Sequence, residues 1–205
     1  HEFWPVDSAT GTHKGDFWLY NSSSEKWKYW LPNDAFKTVN WGGFYAARAR
    51  PNIRIIALTT SGLTDDTYYR YDTILNGWPD PLAQMAWLNN TLKQSYKMKE
   101  KVILIGHHPY SDWNVFVLKV FINMVSQYDN FIILQLFGHS HMNDFNVASS
   151  PKGKLLYPYF TGGSLTTTGT ANNRNKQKIA GCGISGNPGF TIYKYNRSSL
   201  KILDI

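Results

Sequence analysis

A chain of 205 residues with 42% hydrophobic and 17% charged residues has the composition of one globular domain and not that of a disordered chain. Its formal charge of +7 favours an anionic partner, but the basic residues are scattered without a run of five, which excludes a nucleic-acid-binding tail. Cys182 is the single cysteine, so no disulfide closes within the chain, and the longest apolar stretch, 115–125, is too short to span a bilayer.

The first fifty residues mix glycine, serine, asparagine and aromatics without a clear period and read as loops and short strands. Residues 53–58 are β-branched and apolar, a buried strand, and the polar, tyrosine-rich 59–76 reads as a long loop. Asp80 and Pro81 then suit a helix cap and first helical position. Leu82, Met85, Leu88 and Leu92 follow at helical spacing, which predicts an amphipathic helix to about Lys97. Residues 102–105 form a short apolar run closed by Gly106, a central strand. The stretch 113–128 is apolar nearly all round and predicts a mostly buried helix, and 131–137 is another apolar strand closed by Gly138. Strands are further expected at 155–160, 190–195 and 200–203, with a Gly/Thr/Asn-rich loop over 161–187 and a turn at 196–199. Strands alternating with helices, then a β-rich tail, make an α/β domain over 1–205 with no internal repeat.

Four of the six histidines fall in two short segments, Gly106-His107-His108-Pro109 and Gly138-His139-Ser140-His141. Each follows a predicted buried strand, and loops at the carboxyl ends of strands form the ligand crevice of open α/β sheets. In an extended segment His139 and His141 would point the same way, so each can serve a different ion of one metal cluster. Neutral imidazole is a strong ligand for zinc, manganese or iron. A lone histidine at a strand end is more often a hydrogen-bonded structural residue; two Gly-His pairs, one with an i+2 partner, favour metal binding.

Gly-His-x-Pro followed by Gly-His-x-His resembles the C-terminal half of the calcineurin-like metallophosphoesterase signature. Further segments resemble its acid-sphingomyelinase-like branch: Gly42-Gly43-Phe44-Tyr45, Asp80-Pro81 with Gln84 and Trp87-Leu88, Phe137-Gly138-His139 leading to Asp144-Phe145, and Asn187-Pro188-Gly189-Phe190 with Tyr193. The likeness runs from Trp41 onward, apart from the individual loop at 161–185. It implies a sandwich of mixed β-sheets flanked by helices, and a site with two divalent ions, zinc first, with manganese or iron as alternatives. Carried over residue by residue, it implies that His107 and His139 bind one ion and His141 the other. His108 follows a ligand position and is expected to line the substrate pocket, as is Tyr45.

The family's aspartate-bearing elements, Asp-x-His and Gly-Asp-x-x-Asp, do not occur in the chain, nor does Gly-Asn-His. The opening His1-Glu2 fits the end of a Gly-Asn-His-Glu element, whose histidine is the family's candidate proton donor to the leaving group. The resemblance therefore implies a domain lacking its N-terminal portion, with that portion upstream or in a second chain. Such a piece would hold one ion or none and show little turnover alone. The expected reaction of the complete site is hydrolysis of a phosphodiester, sphingomyelin-like or nucleotide-derived, by a metal-activated water. The alternative is a catalytically silent metal- or phosphate-binding module. Partners are then a phosphoester substrate, lipid among the candidates, with no nucleic-acid polymer and no transmembrane segment. The family implies a lysosomal or secreted protein, and sequons beginning at Asn21, Asn89 and Asn196 add weak support for a glycoprotein.

Overall fold

The computed structural model describes residues 17–64, 83–165, 188–199 and 201–205. Its centre is a six-stranded sheet in the order β1-β2-β3-β4-β6-β5: Tyr45–Arg50, Ile53–Ala57, Lys101–Ile105, Ile132–Phe137, Tyr159–Thr161 and Asp144–Asn146, respectively. β2, β3, β4 and β6 run parallel, and β1 and β5 close the two edges antiparallel. The apolar runs predicted as central strands form β2, β3 and β4 within a residue or two of their expected limits. The run at 155–160 is only partly a strand, since β6 begins at Tyr159 and Leu155 makes an isolated bridge to Ser149. At the C-terminus β7 (Lys194–Tyr195) and β8 (Ile202–Asp204) form a small hairpin, shorter than the two strands expected there. Asn196 turns it, its side-chain carbonyl accepting from the backbone N–H groups of Ser198 and Ser199.

The first described segment differs from the expected loops and short strands. It forms two helices, α1 (Phe17–Trp27) and α2 (Asn33–Gly42), that pack on each other. In α2, Ala35, Val39 and Gly42 are buried at i, i+4 and i+7, a narrow stripe that the surrounding polar and aromatic residues obscure. Gly43 ends the helix at φ 76°, where its N–H reaches the Val39 carbonyl. A Cβ there would also stand 2.8 Å from Thr59 Oγ1 and from the Tyr20 ring.

Helix α3 (Gln84–Lys97) ends where the sequence placed its C-terminus; the expected cap at Asp80-Pro81 lies outside the described residues. Helix α4 (Val115–Val125) is capped by Asn114, whose side chain accepts from Phe116 N–H at 2.9 Å. It is less buried than its composition suggests: Val117, Phe121, Met124 and Val125 face the core, whereas Val115, Phe116 and Val120 are exposed. The reason is that one sheet face takes only one stripe of a helix. Met85, Leu88 and Leu92 of α3 join that α4 stripe against Ile56, Val102, Leu104, Ile132 and Phe137 of the sheet, with Tyr110, Trp113 and Tyr159 filling between them. Among the described residues no helix is long and apolar enough to cross a membrane.

Candidate metal centre

Parallel pairing puts the carboxyl ends of β2, β3, β4 and β6 on one rim, and the ladder continues past each strand end. Leu58 N–H donates to Ile105 O (2.8 Å), Gly106 N–H to Leu136 O (3.0 Å), Gly138 N–H to His107 O (2.8 Å) and Gly162 N–H to Phe137 O (3.0 Å). The histidine loops therefore leave the sheet side by side from a fixed backbone. Gly106 is required there by space. A Cβ would come within 2.7 Å of Thr60 Cγ2 and 2.9 Å of the Phe137 ring.

Three imidazoles meet on this rim. His107, His108 and His139 each offer a ring nitrogen, and these atoms lie within 4.8 Å of one another. Ring centroids are 5.0 Å apart for His107 and His108, 5.3 Å for His107 and His139, and 3.8 Å for His108 and His139. His108 is buried, and the other two are partly open to solvent. Thr60, on the loop after β2, fixes the first pair: its hydroxyl oxygen accepts from His107 N–H at 3.0 Å and His108 N–H at 2.7 Å. Trp113 Nε1–H donates to the His108 carbonyl at 3.1 Å and holds the loop from below. Thr60 went unnoticed in the sequence because it acts on backbone N–H groups. Its signal is its position, a hydroxyl just past β2 on the rim that carries the histidines.

The segment after β4 is not extended. His139 and His141 both adopt left-handed backbone, at φ 69° and 58°, and Ser140 N–H turns back onto Gly138 O at 2.8 Å. The i, i+2 alternation that would aim the two rings alike therefore does not form, and His141 is not a member of the three-histidine group. Left-handed backbone at two non-glycine residues costs on the order of 1 kcal/mol each and is concentrated at ligand-holding sites. Beyond the bend, Asn143 ties β5 to the neighbouring loops, its Oδ1 accepting from Gly163 N–H (2.7 Å) and Thr191 Oγ1–H (2.9 Å).

Tyr45 starts β1 opposite Ala57, which pairs in turn with Ile105, so Tyr45 occupies the same rim two strands from His107. Its ring meets Trp27 edge-on at 6.4 Å, and burial pushes its phenol above the usual value. Gln84 braces the loop after β2 by exchanging two hydrogen bonds with the Thr59 backbone, at 2.8 and 2.9 Å. His1 and the tyrosines at 68–71 lie outside the described residues.

The donor set fits a first-row divalent metal. Three neutral imidazoles suit zinc, manganese or iron. Nitrogens on one tetrahedral zinc sit roughly 3.3 Å apart, so small ring rotations would close the group on an ion.

No protein-family model matches the chain. Individual relatives do. The cyclic GMP-AMP phosphodiesterase SMPDL3A of Bos taurus is 30% identical over 216 residues, covering 100% of this chain and 44% of the relative. The sphingomyelin phosphodiesterase of Homo sapiens is 29% identical over 221 residues, 100% of this chain and 31% of the relative. The sphingomyelin phosphodiesterase A of Dictyostelium discoideum is 28% identical over 207 residues, 100% of this chain and 33% of the relative. The chain is a homologue of the acid-sphingomyelinase-like phosphodiesterases. The likeness to this family reaches residues before Trp41 as well as those after it, because each alignment covers the whole chain. The chain spans less than half the length of these family members.

Proposed function

We propose that the protein hydrolyses a phosphodiester at a metal centre on the carboxyl rim of its sheet. The reading is carried by the convergence of His107 and His139 from two adjacent strand ends in a chain whose relatives are named phosphodiesterases. In this reading His107 and His139 hold one ion, with the buried His108 close enough to join them, and His141 serves a second. His1 is the proposed proton donor to the leaving alcohol. Ions at such a site supply Lewis-acid polarisation of the phosphoryl oxygens and a water acidified for attack. The substrate class is a sphingomyelin-like or nucleotide-derived diester, with Tyr45 on the wall of the cleft, and the setting is lysosomal or secretory.

The test is cleavage of bis(4-nitrophenyl) phosphate by the protein carrying the N-terminal portion that the resemblance implies, after chelator treatment, with and without restored zinc, manganese or iron. Metal-restored cleavage that falls roughly 100-fold in His107→Ala and His139→Ala is the expected result. Cleavage indifferent to chelation and to both substitutions would overturn the proposal. Bound metal without cleavage under any ion would select the second reading, a metal- or phosphate-binding module without turnover.

A further inference from the structure

The amino end of the sheet, one strand length or about 16 Å from the histidine rim, carries a cavity with a different chemistry. Arg48 and Arg50 from β1, Pro51 and Asn52 from the β1–β2 turn, and Met98 and Glu100 from the approach to β3 line an open cleft of about 380 Å³. Glu100 is the one carboxylate on this wall, and both of its oxygens are engaged. Oε1 accepts from Arg48, at 2.7 Å from Nε and 2.6 Å from Nη2, and Oε2 accepts from Arg54 Nε at 2.7 Å. One negative charge is thus shared by two guanidinium groups, which leaves a positive charge in excess.

Arg50 adds a second. It donates to the Arg197 carbonyl at 3.1 Å and lies 5.3 Å from the centre of the Tyr195 ring, and neither contact neutralises it. Among the described residues no carboxylate pairs with Arg50. The strand register shifts between Arg48 and Arg50, a bulge of the kind that re-aims side chains, and both residues line the cavity. A guanidinium has five N–H donors in a rigid fork. Arg48 spends part of its fork on Glu100 and Arg50 part of its own on Arg197, so each retains donors for a further acceptor.

We infer that this cavity binds a small phosphate monoester or inorganic phosphate, with Arg48 and Arg50 clasping its oxygens and the Asn52 side-chain amide as a neutral donor. The charge of a phosphate dianion matches the net excess of two positive charges over Arg48, Arg54, Arg50 and Glu100, and its oxygens suit the paired donors of a guanidinium. The site stands apart from the histidine cluster and does not depend on the metal reading.

Phosphate can also bind at metal ions, so the test uses the full chain stripped of metal by chelator. Inorganic phosphate is titrated and followed by amide and arginine Nε–H resonances, with affinity from calorimetry. The expected result is saturable shifts at Arg50, Asn52 and Glu100, and affinity weakened about tenfold in Arg50→Gln. Arg50→Lys, which keeps charge but loses the fork, should fall between. Equal affinity in Arg50→Gln and the parent chain, or shifts confined to 106–108 and 138–141, would overturn the inference. A second arm compares vesicles containing phosphatidic acid with vesicles of phosphatidylcholine alone. Retention on the former that is lost in Arg50→Gln would assign the phosphate to a lipid headgroup, whereas phosphate binding without retention would assign it to a soluble ligand. Failure of both arms sinks the site.

Discussion

His108 and His139 leave different strands, yet their rings lie 3.8 Å apart with planes inclined at 42°, the tightest contact of the three-histidine group. His108 is almost fully buried, so this contact forms on the protein side of the cluster, with His107 and His139 more open to solvent. A ring so placed either completes the ligand set or backs it. Zinc affinity, measured by competition with a chromophoric chelator, separates these roles. His107→Ala and His139→Ala should each weaken binding roughly 100-fold or more. His108→Ala should match them if it is a ligand, and cost only about tenfold if it positions its neighbours. In the completed two-ion site of the proposal, His141→Ala should leave the first ion in place and remove the second from the stoichiometry. Wild-type affinity in His107→Ala and His139→Ala would dissolve the proposed centre.

Thr60 offers a cleaner test of how the histidine loop is held. Valine replaces its hydroxyl with a methyl of similar size and removes the acceptor for His107 N–H and His108 N–H together. Leaving buried donors unsatisfied costs about 1–3 kcal/mol, which in a domain of this length lowers Tm by roughly 2–4 °C per kcal/mol. Thr60→Ser, which keeps the oxygen, should retain most of the stability and the zinc affinity. If calorimetry and zinc competition find valine and serine equivalent, the hydroxyl is not what fixes the loop.

What the sequence made legible is what depends on runs and spacing. β2, β3 and β4 were readable because strands buried by helices need continuous apolar residues, and His107 and His139 were readable because each follows such a run and a glycine. Helix α1 was not, because Asn21, Ser22, Ser23 and Ser24 interrupt any apolar stripe. Its Ser24 is nonetheless 1% exposed and donates its hydroxyl to the Asn21 carbonyl. The bend at 138–141 was also hidden, since left-handed backbone at a histidine has no residue-type signature comparable to glycine. The Arg48–Glu100–Arg54 group joins residues far apart in the chain whose meeting follows only from strand register, Arg48 standing opposite Arg54.

The two glycines that open the histidine loops should respond differently to alanine. At Gly106 the new methyl would meet Thr60 Cγ2 at 2.7 Å and the Phe137 ring at 2.9 Å, both in packed surroundings. At Gly138 the nearest atom is His107 Nδ1 at 3.7 Å, an ordinary contact. Gly106→Ala should therefore cost about 1–3 kcal/mol by overpacking, and Gly138→Ala less than about 1 kcal/mol. Urea unfolding of the two variants tests the difference, and equal losses would mean that space is not what selects glycine at 106.

Glu100 sets the acid limit of the fold's amino end. Burial alone would raise its carboxyl, but hydrogen bonds from Arg54 and Arg48 and their charges outweigh that and hold it below the usual 4.5. A carboxylate whose pKa is depressed in the folded state contributes stability that is complete above the unfolded value and is lost as pH falls through the folded one. The parent chain should thus be steepest in its loss of stability below about pH 4.5, where Glu100 takes up its proton. Glu100→Gln removes this titration and leaves Arg54, only 14% exposed, beside a neutral amide. Breaking a buried pair costs about 3–5 kcal/mol, and the exposure of Arg48 to 50% places the expected loss near the lower bound at neutral pH. The gap between parent and Glu100→Gln, followed by urea unfolding from about pH 7 down to about pH 3, should narrow as acid neutralises the parent's carboxylate. A gap that stays constant over that range would show that the carboxylate charge does not hold the two arginines in place.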